Sequence, residues 1–173
     1  MILEAPRTAT PEANTPASSD LIPILNQIAG KTTLAEAQKL VAYPILLPSY
    51  PSDLGDPNLV YVQNAGGYMT ILIWLVPGQP DKASMSLHFI PNDSWVIKKF
   101  EPKVIQERSV NGQRAVWTEG PYPLILRNSN VEFTRLVNGH VLIWTDGDIT
   151  YRLETDLPLD EAVKIAESLQ SIP

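Results

Sequence analysis

Two histidines, His88 and His140, are the side chains best suited to move protons near neutral pH in this chain. To do acid–base or nucleophilic work, either needs a carboxylate and a hydroxyl within hydrogen-bond reach. His88 belongs to ASMSLHFIP, where Met85, Leu87 and Phe89 alternate with Ser84, Ser86 and His88. That alternation predicts a strand with His88 exposed on its wetter face. His140 follows a turn signal and is expected beside Val137 and Leu153, partly buried and hydrogen-bonded. Nothing in the spacing joins the two histidines, so a two-histidine metal site is not expected. No serine stands in a Gly-x-Ser-x-Gly elbow or a Ser-x-x-Lys motif. Asp53, Asp56 and Asn58 in SDLGDPN lack the spacing and the glutamate of a calcium loop, and suit a turn. Asp146 and Asp148 flank a hairpin tip, and Ala65-Gly66-Gly67 joins two strands rather than cradling phosphate.

The elements that would position these groups show in the periodicity. Asp20 can cap a short helix over Leu21–Ala29 that stops at Gly30, and Thr33-Leu34-Ala35-Glu36 reads as a capping box. The helix it opens ends before Pro44, and a proline-broken extended segment follows. From Asn58 the period is strand-like, with NLVYVQ and YMTILIWLV flanking the glycine turn as a hairpin. VNGQRAVWTEG at 110–120 then returns as VNGHVLIWTDG at 137–147. Asn-Gly and Asp-Gly favour two-residue hairpin loops. With Asn138-Gly139 and Asp146-Gly147 as loops, strands fall at about 131–137, 140–145 and 148–155. Phe133, Trp144 and Ile149 then lie side by side, as do Val137, His140 and Leu153, with Leu142 and Tyr151 between them. Leu136, Val141 and Ile143 occupy the other face among Glu132, Thr134, Thr150 and Arg152. The first copy turns at Asn111-Gly112, places Trp117 where the second has Trp144, and is cut short by Pro121 and Pro123. The repeat is therefore read as scaffold. Leu159, Ala162, Val163, Ala166 and Leu169 form the apolar stripe of a final helix behind Pro158.

The expected fold class is α+β: a curved antiparallel sheet of about eight strands, built as a hairpin meander and packed against N-terminal and C-terminal helices. Residues 1–19, MILEAPRTATPEANTPASS, read as a flexible linker, and 20–173 as a single domain large enough to bury about 70% of its unfolded surface. Without cysteine there are no disulfides and no thiol chemistry, and the net charge of −6 argues against nucleic acid. No catalytic residue, cofactor or metal is expected. What stands out is apolar surplus, because YMTILIWLV is apolar on both faces. Ile71, Ile73, Trp74, Leu136, Val141 and Ile143 are expected to form an apolar binding surface, unless the chain covers them itself.

Two stretches carry a resemblance. They are LAEAQKLVAYPILLPSYPSDLG, with its proline-flanked segment from Pro44 to Pro51, and LIWTDGDITYRLETDLPLDEAVKIAESL. The latter contains Trp144, Tyr151, Ile165, Ala166, Ser168 and Leu169. Together with the VNG turns, over about residues 33–171, they resemble a bacterial domain of unknown function. That domain forms the extracytoplasmic part of anti-sigma-factor-like membrane proteins, similar in style to lipoprotein-sorting and sigma-regulatory sensor domains. The resemblance implies a non-enzymatic extracytoplasmic sensing or binding module, tethered through an upstream membrane anchor by residues 1–19. It brings no catalytic residue, and no zinc-binding anti-sigma segment is present. The partner implied is an envelope protein or a lipid-like ligand. The alternative expectation is a carrier of lipid or lipoprotein acyl chains, and a third is a hydrolase built around His88 or His140.

Overall fold

A computed structural model describes residues 25–64, 66–92, 95–96, 104–120, 124–126, 132–133 and 135–172. The linker expected at 1–19 and the break at Pro121 and Pro123 lie outside them. After a 3-10 turn at Leu25–Gln27, strand β1 (Lys31–Thr32) leads to helix α1 (Leu34–Leu40) and β2 (Leu46–Pro48). Strands β3 (Leu59–Asn64), β4 (Tyr68–Val76), β5 (Gln79–Pro91) and β6 (Trp95–Val96) follow. Next come β7 (Val104–Val110), β8 (Gln113–Glu119), β9 (Leu124–Leu126) and β10 (Glu132–Phe133). The chain finishes with β11 (His140–Asp146), β12 (Ile149–Thr155), α2 (Leu159–Glu167) and β13 (Leu169–Ser171). Eight of these strands form one open antiparallel sheet in the order β1-β3-β4-β5-β12-β11-β8-β7. Strands β10-β9-β6 make a second, three-stranded sheet, and β13 pairs with β2.

Turn chemistry explains most of the register. Asn111 (φ +49°) and Gly112 (φ +79°) are both left-handed, so Val110 faces Gln113 across a two-residue loop. Asn64 faces Tyr68 across the expected glycine turn. Between β4 and β5, Pro77-Gly78 makes a turn that was not anticipated, with Val76 opposite Gln79 and Gly78 at φ +74°.

Two expectations are corrected at the second repeat. Asp146 faces Ile149, so the loop is Gly147-Asp148, with glycine in its first position at φ +57°. Trp144 therefore lies opposite Tyr151 and Leu142 opposite Leu153. The slip moves every β11–β12 partner by two residues and leaves the side chains of those two strands on the faces expected for them. The expected hairpin of 131–137 with 140–145 does not form. Phe133 pairs with Leu124 in the three-stranded sheet, and the neighbour of β11 is β8, with Ala115 opposite Trp144 and Trp117 opposite Leu142. The two repeat copies thus lie side by side. The reason is local. The N–H groups of Leu136 and Val137 donate to the Glu154 carboxylate at 2.7 and 3.0 Å, which draws the segment away from a hairpin path. Gly139 is needed for close approach, because a Cβ there would lie 2.3 Å from the Thr155 carbonyl oxygen.

Helix α1 starts at Thr33, whose hydroxyl accepts from the Glu36 N–H at 3.2 Å. The helix expected over Leu21–Ala29 is reduced, among the described residues, to the turn at Leu25–Gln27, while Gly30 presses against the Val62 carbonyl. Ala37 of α1 and Ala162, Ile165 and Ala166 of α2 pack on one sheet face against Leu72, Trp74, Leu87, Phe89, Trp117, Leu142, Tyr151 and Leu153. On that face the Trp144 ring stacks on Tyr151 at 5.2 Å, and Tyr151 meets Phe89 edge-on at 5.3 Å. A second core lies on the other face, where Leu25, Tyr61, Met69, Ile71, Ile73, Ile90, Leu136 and Val137 are buried together, so Val137 lies on the face opposite to the one expected for it beside His140 and Leu153.

Candidate functional site: a buried polar quartet and an open groove

Strand β12 reads Ile-Thr-Tyr-Arg-Leu-Glu-Thr, which puts Arg152 and Glu154 on one face. Strand β5 puts Ser86 and His88 on the same face, and the register sets Arg152 opposite His88 and Glu154 opposite Ser86. Two rows cross the sheet here. One runs Ile71, His88, Arg152, Ile143, Val116, and the other Ile73, Ser86, Glu154, Val141, Thr118. All four polar side chains are sealed, at 0 or 1% exposure. The expectation that His88 sits on a wet face is corrected, because charge on this face is answered from within it. Arg152 Nε and Nη2 each reach Glu154 Oε1 at 2.9 Å, while Oε2 accepts from the Leu136 and Val137 N–H groups.

His88 Nε2 lies 3.0 Å from Ser86 Oγ and 3.7 Å from Glu154 Oε1, and Nδ1 has no hydrogen-bond partner among the described residues. Burial pushes the His88 imidazole down to about 4; Glu154 opposes that shift and Arg152 adds to it. Burial alone would raise the Glu154 carboxyl, but Arg152, His88 and the two N–H groups together hold it below its usual range. At neutral pH, then, a neutral histidine sits beside an ionised glutamate. The carboxylate facing Nε2 favours the tautomer with its proton there, which leaves the basic lone pair on Nδ1, away from the serine. A hydroxyl and a carboxylate do meet a histidine, but they crowd one nitrogen. A catalytic serine would need the carboxylate on the other.

The residues expected to bind are placed as follows. Ile71, Ile73, Val141 and Ile143 flank the quartet, and Leu136 joins Ile71 and Ile73 in the second core. Trp74 faces the opposite side, where its indole N–H donates to the Gly55 carbonyl at 3.0 Å. All are buried except Ile143, which is half-buried and lines a recess of about 470 Å³ with Arg114 and Val116. Five of the six are therefore interior, which corrects the expectation of an exposed apolar surface for them, while Ile143 alone reaches the recess. His140 is half-buried with its ring 5.0 Å from Trp117, on the helix-covered face. Its Nδ1 has no hydrogen-bond partner among the described residues, so the hydrogen bond expected of it is not found there. The two histidines lie on opposite faces, and among the described residues no group of three His, Cys, Asp or Glu side chains is placed to hold a metal. In the acid-rich stretch the Leu54 N–H donates to the Pro51 carbonyl at 3.0 Å, closing a turn, and Asn58 Oδ1 accepts from the Leu75 N–H of β4 at 2.8 Å.

A second feature was not anticipated. A groove of about 770 Å³ opens where the β11–β12 tip meets the segment after α1. Tyr43, Pro44 and Leu46 form one wall, Ile149 and Tyr151 the other, with Pro91, Asn92, Asp146 and Asp148 at its end. Tyr43 is fixed there. Its hydroxyl donates to the Tyr68 carbonyl at 2.7 Å and lies 2.9 Å from Thr70 Oγ1, and its ring stacks on Phe89 at 6.1 Å. At the tip, Asn92 donates to the Gly147 carbonyl at 3.2 Å and accepts from the Thr150 hydroxyl at 2.7 Å. The quartet's sequence signal was an Arg-x-Glu pair alternating with Tyr151 and Leu153 along one strand. The groove had none, because its walls come from segments about a hundred residues apart. No family model, no curated protein and no solved structure matches this chain.

Proposed function

We propose that this chain is a non-enzymatic binding module that works outside the cytoplasmic membrane and is tethered to it in the full-length protein. The observation that carries the non-enzymatic part is the quartet. Its best-placed proton carrier, His88, is sealed, has its carboxylate and hydroxyl on the same nitrogen, and stands beside a serine with no exposed surface. A substrate cannot reach such a group, and the network's bonds are spent on holding β5, β12 and the segment before β11 together. The open groove supplies the binding surface that the buried isoleucines do not. The resemblance of the proline-flanked segment and the Trp144–Leu169 stretch to extracytoplasmic sensor domains supports the location. A curved sheet closed by its helices is the form that resemblance implies.

Two measurements test this reading. A fluorophosphonate probe should leave Ser86 unlabelled in the native protein; stoichiometric labelling abolished by Ser86→Ala would sink the non-enzymatic assignment. Alkaline phosphatase fused after residue 173 of the full-length gene product should be active, since that enzyme matures only outside the cytoplasm. An inactive fusion, with an active green fluorescent protein fusion at the same position, would reverse the location.

A further inference from the structure

We infer that the groove between Tyr43 and Tyr151 is a docking site for an extended segment of a protein partner that presents an apolar side chain next to a lysine or arginine. The inference rests on the binding-module reading and names its partner class. Three observations carry it. The groove's volume, about 770 Å³, exceeds a single side chain and falls within the range of ligand sites. Its apolar walls are stiff: Pro44 and Pro91 have fixed backbone angles, Tyr43 is anchored at both hydroxyl and ring, and Tyr151 is stacked under Trp144. A surface held in shape before binding loses little freedom on binding. The end of the groove is acidic. Asp146 and Asp148 are exposed, and neither has an ion-pair partner among the described residues.

Charge decides the kind of occupant. Two carboxylates on a chain of net charge −6 repel nucleic acid and anionic lipid headgroups. A bare acyl chain would gain the apolar walls and leave the carboxylates unused. An apolar residue flanked by a cation uses both, in the manner of peptide grooves lined by aromatic rings.

The test is an amide NMR titration of the full chain with two synthetic peptides that differ only in Lys or Glu beside a leucine–proline core. The lysine peptide should shift Gly147, Ile149 and Tyr151. Its binding should weaken roughly three- to tenfold in the Asp146→Asn, Asp148→Asn double variant, both positions being exposed at the hairpin tip. It should also weaken as salt rises from about 0.05 to about 0.5 M. Equal binding of the glutamate peptide, shifts confined to other residues, or groove shifts produced by phosphatidylglycerol vesicles in place of peptide would each overturn the assignment. Binding elsewhere on the chain overturns the groove and leaves the binding-module reading standing, whereas labelling of Ser86 by fluorophosphonate strikes that reading independently.

Discussion

Glu154 shows what a charge inside a sheet requires: both its oxygens are occupied, one by Arg152 and the other by two backbone N–H groups. Replacing it with glutamine keeps the shape, removes the charge that faces Arg152, and offers the N–H groups a weaker acceptor. Urea unfolding of Glu154→Gln should show a loss of about 3–5 kcal/mol, and adding Arg152→Met should give a double variant less damaged than the sum of the singles. His88 brings a pH dependence whose sign follows from its depressed value. The unfolded histidine binds a proton near pH 6.5, but the folded one only near about 4. Falling pH across that window therefore favours the unfolded chain, by about 3 kcal/mol when the window has been crossed. Glu154, also held low, adds to the loss as pH falls further. His88→Gln should lack the loss between about pH 6.5 and 4, and parallel stability curves for the two proteins would refute the assignment.

At the level of elements, the repeat separates what a motif encodes from what its surroundings decide. Both copies carry Val-Asn-Gly, yet only Asn111-Gly112 makes a two-residue hairpin loop, with both residues left-handed. In the second copy Glu154 holds the preceding backbone, and Gly139 is required for its lack of a side chain against Thr155. Asn111→Ala should cost about 1 kcal/mol, because alanine tolerates a positive φ poorly. Asn138→Ala, at an exposed residue, should stay within about 0.5 kcal/mol. Chemical denaturation of the pair checks the contrast, and equal costs would mean that both copies use the same turn. The faces of β11 and β12 were legible from alternation alone, since a slip of two residues preserves them. Which strand lies beside β11 was not, because β8 and the 131–137 segment offer it similar apolar alternation.

For the whole molecule, an open sheet leaves two edges to protect. The β1 edge is only Lys31–Thr32, whereas β7 is seven residues long and exposes Ile105. Glu107 and Arg108, both exposed on β7, guard that edge, with Glu107 paired to Arg114. Glu107→Val with Arg108→Thr should make the chain self-associate in light scattering, and a variant that stays monomeric would show the edge to be shielded in another way. The sequence by itself determined the strand-rich architecture, the turn at Asn111-Gly112, the capped helix at Thr33, and the division of Trp144, Leu142 and Tyr151 from Val141 and Ile143. These follow from periodicity and local backbone preference, which act between residues near one another in the chain. Only the tertiary structure decided that Ser86, His88, Arg152 and Glu154 meet, that Ile71 and Ile73 are interior, and that Tyr43 and Tyr151 face one groove. Those contacts join segments far apart in the chain, and a side chain's local spacing says which face it occupies but not what will cover it.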